Sequence, residues 1–551
     1  MNQELGHAST TLLFIGGLAA GAIAIAVSLL LRLFFGSPFI PEVASQTLFS
    51  LTPGEIESQA VETFGTLAKY SAFIGAIIVN LILYGVIGVF LGRLRNKLHW
   101  KGYVGNALQS FLVSYIILLV VTILLLTLTE GQTNLTSIPF LVIYLIPPHV
   151  AFGFTLSSFY ERIVIARPSS TVNTKEKVSD HKTEIDYKKR ILLRAGIASA
   201  VALPILYFGL DNILSPRQAV QQQSPSLLLS QLQKSKSKPV GFEDSRLSPL
   251  LESEITPTDL FYRIDKNAIV PVVNAQAWKL TLKGLVDKPL EINYKELKDM
   301  PSIEQFATLE CVSNKIGGDL ISTAVWKGVR LKDVLGKAQV KPSAKYIVFR
   351  CSDGYDVGIP LDIGLLDGTI LAYDMNGAAL TSEHGYPVRA IVPGIYGMMN
   401  AKWLTEIELV DNVYEGYWQR KGWTNNAKYN THSFIVIPDN TLIRKRFRNL
   451  EPSSNKTLNG RVPVAGVAFA GDRGISKVEV STDDGTNWKD ARIKDPLSQY
   501  TWVLWTAELD LIDKGNHKVM VRATDKTGKV QTPELHNPFP NGATGYHIVD
   551  I

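Results

Sequence analysis

Cys311 is one of two cysteines in 551 residues, and it follows the strand-like run Ile303–Leu309 in the stretch Thr308-Leu309-Glu310-Cys311-Val312-Ser313-Asn314. A glycine pair, Gly317-Gly318, and the run Trp326-Lys327-Gly328-Val329 come after it. A thiolate is a soft donor suited to a transition metal, and a loop leaving a strand can hold it against a buried cofactor. Cys311 could equally close a disulfide with Cys351, as an exported protein permits. On the two cysteines alone both readings stand. A second group is cationic: His384 and Arg389 flank a Gly-Tyr-Pro turn, and Lys402 follows the Val392-Pro393-Gly394 and Tyr396-Gly397 turns. Three basic side chains brought together on loops suit a phosphate or another anion, although loop arginines are commonly solvated or paired with a surface acid.

The elements that must position these residues belong to a divided chain. Residues 1 to 210 are mostly apolar, and everything beyond about 240 has the composition of ordinary soluble protein. A length of 551 residues implies several domains. The formal charge of +6 is modest, and the basic residues form no aromatic-laced stripe, which argues against nucleic-acid binding.

Five segments reach the roughly 20 apolar residues that cross a bilayer: Thr11–Phe35, Ala72–Leu91, Gly105–Leu128, Ile138–Phe159 and Ile191–Leu210. Arg93, Arg95, Lys97 and Lys101 fall between the second and third, and Lys188-Lys189-Arg190 precedes the fifth. Acids dominate the other loops (Glu42, Glu55, Glu57, Glu62 and Glu130). The positive-inside rule then places the N-terminus in the cytoplasm and the soluble half on the periplasmic side of an inner membrane. Bis-histidine haem needs two facing ligands at membrane depth, and His149 is the single histidine inside a span. A packed or hydrogen-bonded role is the simpler expectation for it. Tyr187–Leu193 has the look of a twin-arginine export signal with Lys189 replacing one arginine, but positive-inside charge accounts for it as well. An anchor or assembly platform is the default reading of residues 1–211.

Residues 212–250, rich in Gln, Ser, Lys and Pro, read as a flexible tether. Beyond it, strands over Trp278–Leu285, Leu290–Ile292 and Tyr346–Arg350 mix with helical spacing over Val329–Leu335. The lack of regular βαβ alternation predicts an α+β domain over 251–450. Short alternating strands from Val462 onward, separated by Asp484-Gly485 and Thr527-Gly528 turns, predict an immunoglobulin-like β-sandwich over 451–551. Ser481–Trp488 fits the Asp-box pattern of sialidases, which as a single copy reads as a hairpin turn.

Taken in order, Phe261-Tyr262-Arg263, Cys311-Val312-Ser313-Asn314, Trp326–Val329, Asp353-Gly354-Tyr355, Met375-Asn376-Gly377, His384–Arg389, Pro393–Trp403 and Tyr417-Trp418-Gln419 resemble the sulfite oxidase family of molybdenum enzymes over about Ile255–Ile551. The resemblance implies a molybdopterin-binding α+β domain followed by an immunoglobulin-like domain that often makes a homodimer. It implies Cys311 as catalytic metal ligand and molybdenum–molybdopterin as cofactor. Cofactor contacts would fall on Tyr262, Arg263, Ser352, His384, Arg389, Asn400 and Lys402, and Cys311 would then be unavailable for a disulfide. Where sulfite-oxidising members place an arginine, a tyrosine and a second arginine around the substrate, this chain has Ile264, Trp423 and Pro538 or Phe539. Those residues supply no positive charge for a dianion. The expectation is oxygen-atom transfer on a sulfoxide, an N-oxide or an organic sulfur compound. The alternatives are a sulfite oxidase with a rearranged pocket and a non-catalytic docking domain. With no haem domain in the sequence, a separate electron carrier, cytochrome or quinone, is implied.

Overall fold

The computed structural model describes residues 10–64, 67–94, 102–128, 138–165, 193, 195–210, 226–234, 239–267, 269–438, 461–510 and 517–551. Its contacts divide it into two units. One comprises Met1–Thr52, Phe64–Arg217 and Lys266–Val270, and the other Pro53–Thr63, Gln218–Asp265 and Pro271–Ile551. The basic run Lys188–Arg190, the triple glutamine at 221–223 and residues 439–460 lie outside the described residues.

The first unit is helical. α1 (Thr10–Phe35), α2 (Ile40–Leu51), α3 (Gly54–Phe64), α4 (Leu67–Leu94), α5 (Gly102–Leu128), α6 (Ile138–Tyr144) and α7 (Ile146–Ile165) follow in order, although α3 up to Thr63 belongs by its contacts to the second unit. Four helices, Thr10–Phe35, Tyr70–Leu94, Tyr103–Leu128 and Phe140–Tyr160, are long and apolar enough to cross a membrane. The expected fifth span is a shorter apolar helix among the described residues, α8 (Ala195–Leu210). Residues 191, 192, 194 and 211–225 lie outside the described residues. Sequence patterning also passed over α2 and α3, whose mixed composition resembles a polar loop. Small residues set the α1–α4 contact: a Cβ on Gly17 would lie 2.6 Å from the Tyr84 carbonyl, and one on Gly88 would lie 2.7 Å from Gly17 Cα. His149 is fully buried. Its Nδ1–H donates to Leu145 O (2.6 Å), so Nε2 accepts from the Tyr84 hydroxyl at 3.4 Å. It is a hydrogen-bonded packing residue, as its sequence context implied.

The second unit opens with one mixed and one antiparallel sheet. β1 (Lys279–Gly284), β2 (Leu290–Asn293), β5 (Tyr346–Cys351), β6 (Asp356–Pro360) and β10 (Leu404–Val410) form one, in the order β2-β1-β10-β5-β6 with β1 and β10 parallel. β3 (Ser302–Glu310), β4 (Ile321–Arg330), β7 (Ile370–Met375) and β8 (Ala378–Ala379) form the other, with β9 (Arg389–Ile391) paired to β7. The helix Leu331–Ala338 turns Leu331, Val334, Leu335 and Ala338 inward, as its spacing predicts. The expected α+β mixture is present.

Two four-stranded antiparallel sheets complete the unit. β11 (His432–Ile437), β12 (Arg461–Phe469), β16 (Val503–Asp510) and β15 (Arg492–Ile493) make one, while β14 (Lys489–Asp490), β13 (Ile475–Ser481), β17 (Lys518–Asp525) and β18 (His547–Asp550) make the other. Val464, Trp505, Val478, Val480, Val519 and Val521 fill one core between them, so the pair is a β-sandwich. β11 pairs with β12 and begins before residue 451, so the sandwich takes in a strand from the segment expected to belong to the preceding domain. The tether expectation is corrected too. Leu227–Lys234 is helical, and Phe242, Leu247 and Leu250 are fully buried in the core around β1 and β5. Isolated large apolar residues in a polar tract are enough to dock it. Phe242→Ala should therefore destabilise the second unit by about 3–5 kcal/mol, measured as a lower thermal midpoint of the full-length protein in detergent. A free tether would show no shift.

Candidate molybdopterin site

β3 delivers Cys311, and three features fix β3. It pairs with β4 along its whole length, while Thr308 N–H donates to Tyr500 O (3.0 Å) and Trp502 N–H to Thr308 Oγ1 (2.9 Å). The loop after Cys311 is closed by its own side chains. Asn314 Nδ2 donates to Glu310 Oε1 (2.9 Å), Leu320 N–H donates to Asn314 Oδ1 (2.9 Å), and Cys311 N–H donates to Leu320 O (2.9 Å). Gly318 is required there, because a Cβ would lie 2.4 Å from Asn314 Oδ1. The Cys311 Sγ is 3.0 Å from Ser313 Oγ, and Cys311 is 7% exposed. Neither Cys311 nor Cys351 is in a disulfide, which removes that reading and leaves a buried sulfur able to ligate.

The basic group assembles around a buried acid. Asp265 receives the Lys402 ammonium on Oδ1 and Arg263 Nε on Oδ2 (2.5 Å). Arg263 Nη1 also reaches Glu383 Oε1 (2.8 Å), and Lys402 Nζ donates to Glu383 O (3.1 Å). Burial opposes ionisation of Asp265, but Lys402 and then Arg263 outweigh it and hold the carboxyl well below its ordinary range. Arg389 is buried with its guanidinium 4.9 Å from the Trp326 ring centre and Nη1 donating to His384 O (3.2 Å). His384 Nε2–H donates to Thr258 O (2.8 Å), which leaves Nδ1 as an acceptor. Burial, then Lys402 and Arg389, lower His384 to about 3. The imidazole is therefore neutral throughout the physiological range.

Backbone geometry packs these groups closely. Gly385 has φ +101°, and a Cβ there would lie 3.0 Å from Lys402 Cβ and 3.1 Å from Arg389 Cβ. Glycine alone takes that conformation without strain, and here it also makes the space. Tyr262 lies beneath, its ring stacked on Phe261 at 5.5 Å and its hydroxyl 2.2 Å from where a Gly397 Cβ would be.

The residues expected from sequence divide by role. Tyr262, Arg263, His384, Arg389 and Lys402 share this cluster. Asn400 supports it: Oδ1 accepts from Val392 N–H (2.7 Å) and Nδ2 donates to Tyr396 O (3.3 Å), so its amide is committed to shaping the loop. Ser352 is exposed at its side chain and joins through its N–H to Trp403 O (2.9 Å). Asp265, Glu383 and Trp326 were missed as site residues. Asp265 stands two positions after Arg263, and a carboxylate so placed among basic residues was the available signal. Trp423 and Phe539 lie with ring centres 5.1 Å apart.

The arrangement fits an anionic organic cofactor. Three permanent or near-permanent cations oppose Asp265 and the more exposed Glu383, leaving positive charge in excess. Arg389 Nε is buried without a hydrogen-bond partner, an orphan donor that an acceptor such as a phosphate oxygen would satisfy.

Comparison with known proteins gives the same assignment. Residues 267–418 match the family model "Oxidoreductase molybdopterin binding domain", and residues 425–539 match "Mo-co oxidoreductase dimerisation domain". Sulfite oxidase of Arabidopsis thaliana is 29% identical over 352 residues, 54% of this chain and 88% of that protein. Mitochondrial sulfite oxidase of Drosophila melanogaster is 29% identical over 55% of this chain and 60% of its own length. An uncharacterised oxidoreductase of Bacillus subtilis, YuiH, is 36% identical over 26% of this chain and 72% of its own. The chain thus spans about 60% of the length of the fly enzyme and most of the plant one.

Two outcomes test the site. Cys311→Ser should lose the sulfur-to-metal charge-transfer absorption and at least about a hundredfold in turnover, with the thermal midpoint unchanged. For His384, a base whose folded pKa is depressed, burial is cost-free above the unfolded value near 6.5 and costs stability as pH falls toward 3. The wild type should lose up to about 1.4 kcal/mol per pH unit across that window relative to His384→Gln, read from paired melting curves.

Proposed function

Because the chain belongs to the sulfite oxidase family of molybdopterin oxidoreductases, we propose that it carries out oxygen-atom transfer on a small neutral or zwitterionic sulfoxide, N-oxide or organic sulfur compound. The observation that carries this reading is a contrast within one unit. The cofactor cradle is strongly basic, whereas the residues at the positions that the family would use to face a dianion are Ile264, Trp423 and Pro538 or Phe539, none of them cationic. When bound, the pterin-held molybdenum supplies the two-electron oxygen-transfer chemistry. Arg263, Arg389 and Lys402 would neutralise the pterin phosphate, and neutral His384 would accept a hydrogen bond at Nδ1. Cys311 would place its sulfur on the metal. The loops Val312–Gly318 and Pro393–Trp403, tied by Asn314 and Asn400, would hold these groups fixed while water is kept from the buried sulfur.

In this proposal the apolar helices anchor the enzyme. The sequence Ile191–Leu210 would supply a fifth crossing, which the basic residues before it favour on charge grounds, placing the soluble unit on the periplasmic face. A cytochrome or quinone would exchange electrons with the site, and a second copy would associate through the C-terminal sandwich, which we take as immunoglobulin-like. Relatives named sulfite oxidase favour the second reading, a sulfite oxidase with an altered pocket.

Sulfite separates the two readings. The wild type should turn over dimethyl sulfoxide with a reduced dye and act poorly on sulfite, and Ile264→Arg should raise kcat/KM for sulfite about tenfold to a hundredfold by adding one charge-assisted contact. Efficient oxidation of sulfite by the wild type would favour the second reading.

A further inference from the structure

α3 lies in sequence between two apolar helices, yet residues 53–63 make their contacts within the catalytic unit. Gly54, Glu57 and Ser58 are spaced i, i+3 and i+4, so they share one helix face. That face meets the segment 421–423. A Cβ on Gly54 would lie 2.5 Å from Lys421 O, 3.1 Å from Trp423 Nε1 and 3.3 Å from Phe539 Cε2. Nothing larger than glycine fits against Trp423 and Phe539, two of the three positions singled out above as the substrate side of the site.

Glu57 is anchored there by a buried ion pair. Its Oε2 lies 2.8 Å from Lys421 Nζ, with the two side chains 6% and 8% exposed. The ammonium is in turn 4.7 Å from the Tyr417 ring centre and 5.6 Å from that of Trp418. Burying two charges is costly unless their remaining valences are satisfied, and here they are not all satisfied. Glu57 Oε1, Ser58 Oγ and Trp423 Nε1 are each buried without a hydrogen-bond partner, on residues at least nine-tenths buried. Each such atom has given up water without gaining a partner, which is unfavourable unless a ligand supplies one. Three on one contact, comprising a carboxylate acceptor, a hydroxyl and an indole donor, form a complementary set for a polar ligand.

We propose that Glu57, Ser58 and Trp423 are specificity-determining residues: Trp423 N–H and Ser58 O–H donate to the oxide oxygen of the substrate, and Glu57 Oε1 accepts from a donor elsewhere on it. The preferred substrate class is then a small S- or N-oxide that also carries an N–H or O–H group. This rests on the oxygen-transfer reading and adds to it a wall supplied by residues outside the sequence range of both family matches.

The test uses full-length protein in detergent and two probes, dimethyl sulfoxide, which has no donor, and 2-aminoethyl methyl sulfoxide, which has one. Turnover is followed with a reduced dye, and binding by calorimetry. Trp423→Phe and Ser58→Ala should each raise KM and Kd for both probes about three- to tenfold, with kcat within about twofold. Glu57→Gln should weaken only the amine-bearing probe. Lys421→Met removes the ion pair but no pocket donor or acceptor, so loosening of α3 would weaken both probes alike and be recognised as such. Unchanged constants in Trp423→Phe and Ser58→Ala, or equal effects of Glu57→Gln on the two probes, would overturn the inference while leaving the oxygen-transfer reading in place. A molybdenum-loaded wild type that neither binds nor turns over either probe would overturn both.

Discussion

A single buried carboxylate sets the terms for the basic half of the site. Asp265 is held between Lys402 and Arg263, and Lys402 stands 137 positions further along the chain. Paired in this way, the cations can be taken out of water without being left uncompensated, which would otherwise cost several kcal/mol each. The acid also fixes their direction. Lys402 cannot swing toward solvent without exposing a buried charge, so the cradle exists in advance of any ligand. Removing one member would leave the others costly to bury, whereas the intact set tolerates an additional anion because two arginines and a lysine exceed the acids that oppose them.

Much of this was readable from residue types, and the limits have physical reasons. The pairing of a cysteine after a strand with a His-Gly-Tyr-Pro-Val-Arg turn and a following lysine indicated both halves of the site, because soft sulfur and convergent cations are chemically unusual in one chain. Asp265 was overlooked because its role depends on Lys402, a contact that no local spacing encodes. Asn400, singled out as a cofactor contact, shapes the loop, since its amide is consumed by backbone partners. In the fold, strands and the helix Leu331–Ala338 followed their periodicity. Phe242, Leu247 and Leu250 did not, since three apolar side chains scattered through a polar tract have no period, and only the finished core reveals that they fill it. α2 and α3 escaped for a similar reason, as their acids and small residues resemble a loop until a packing surface is supplied.

The division of labour between the units is also instructive. In the helical unit, packing relies on glycine and alanine at close crossings, and His149 is occupied by Leu145 and Tyr84. Buried polar atoms without partners occur in both units, Asn106 Oδ1 and Gln109 Nε2 among them, and in the catalytic unit they include Arg389 Nε at the cofactor cradle and Glu57 Oε1, Ser58 Oγ and Trp423 Nε1 at the α3 contact. Unmet hydrogen-bonding capacity of this kind is tolerated mainly where something else will meet it.

His547 lies on β18, close to the final residue, Ile551. Its Nδ1 accepts from Ile435 N–H (3.1 Å), so Nε2 carries the proton, and that nitrogen lies 2.2 Å from where a Gly317 Cβ would be, with Gly317 at φ +75°. β18 therefore buttresses the bend that follows Cys311. That bend is braced only once β18, far along the chain from Cys311, has joined the sandwich, so damage to β18 would register beside the reactive sulfur as well as in the sandwich itself.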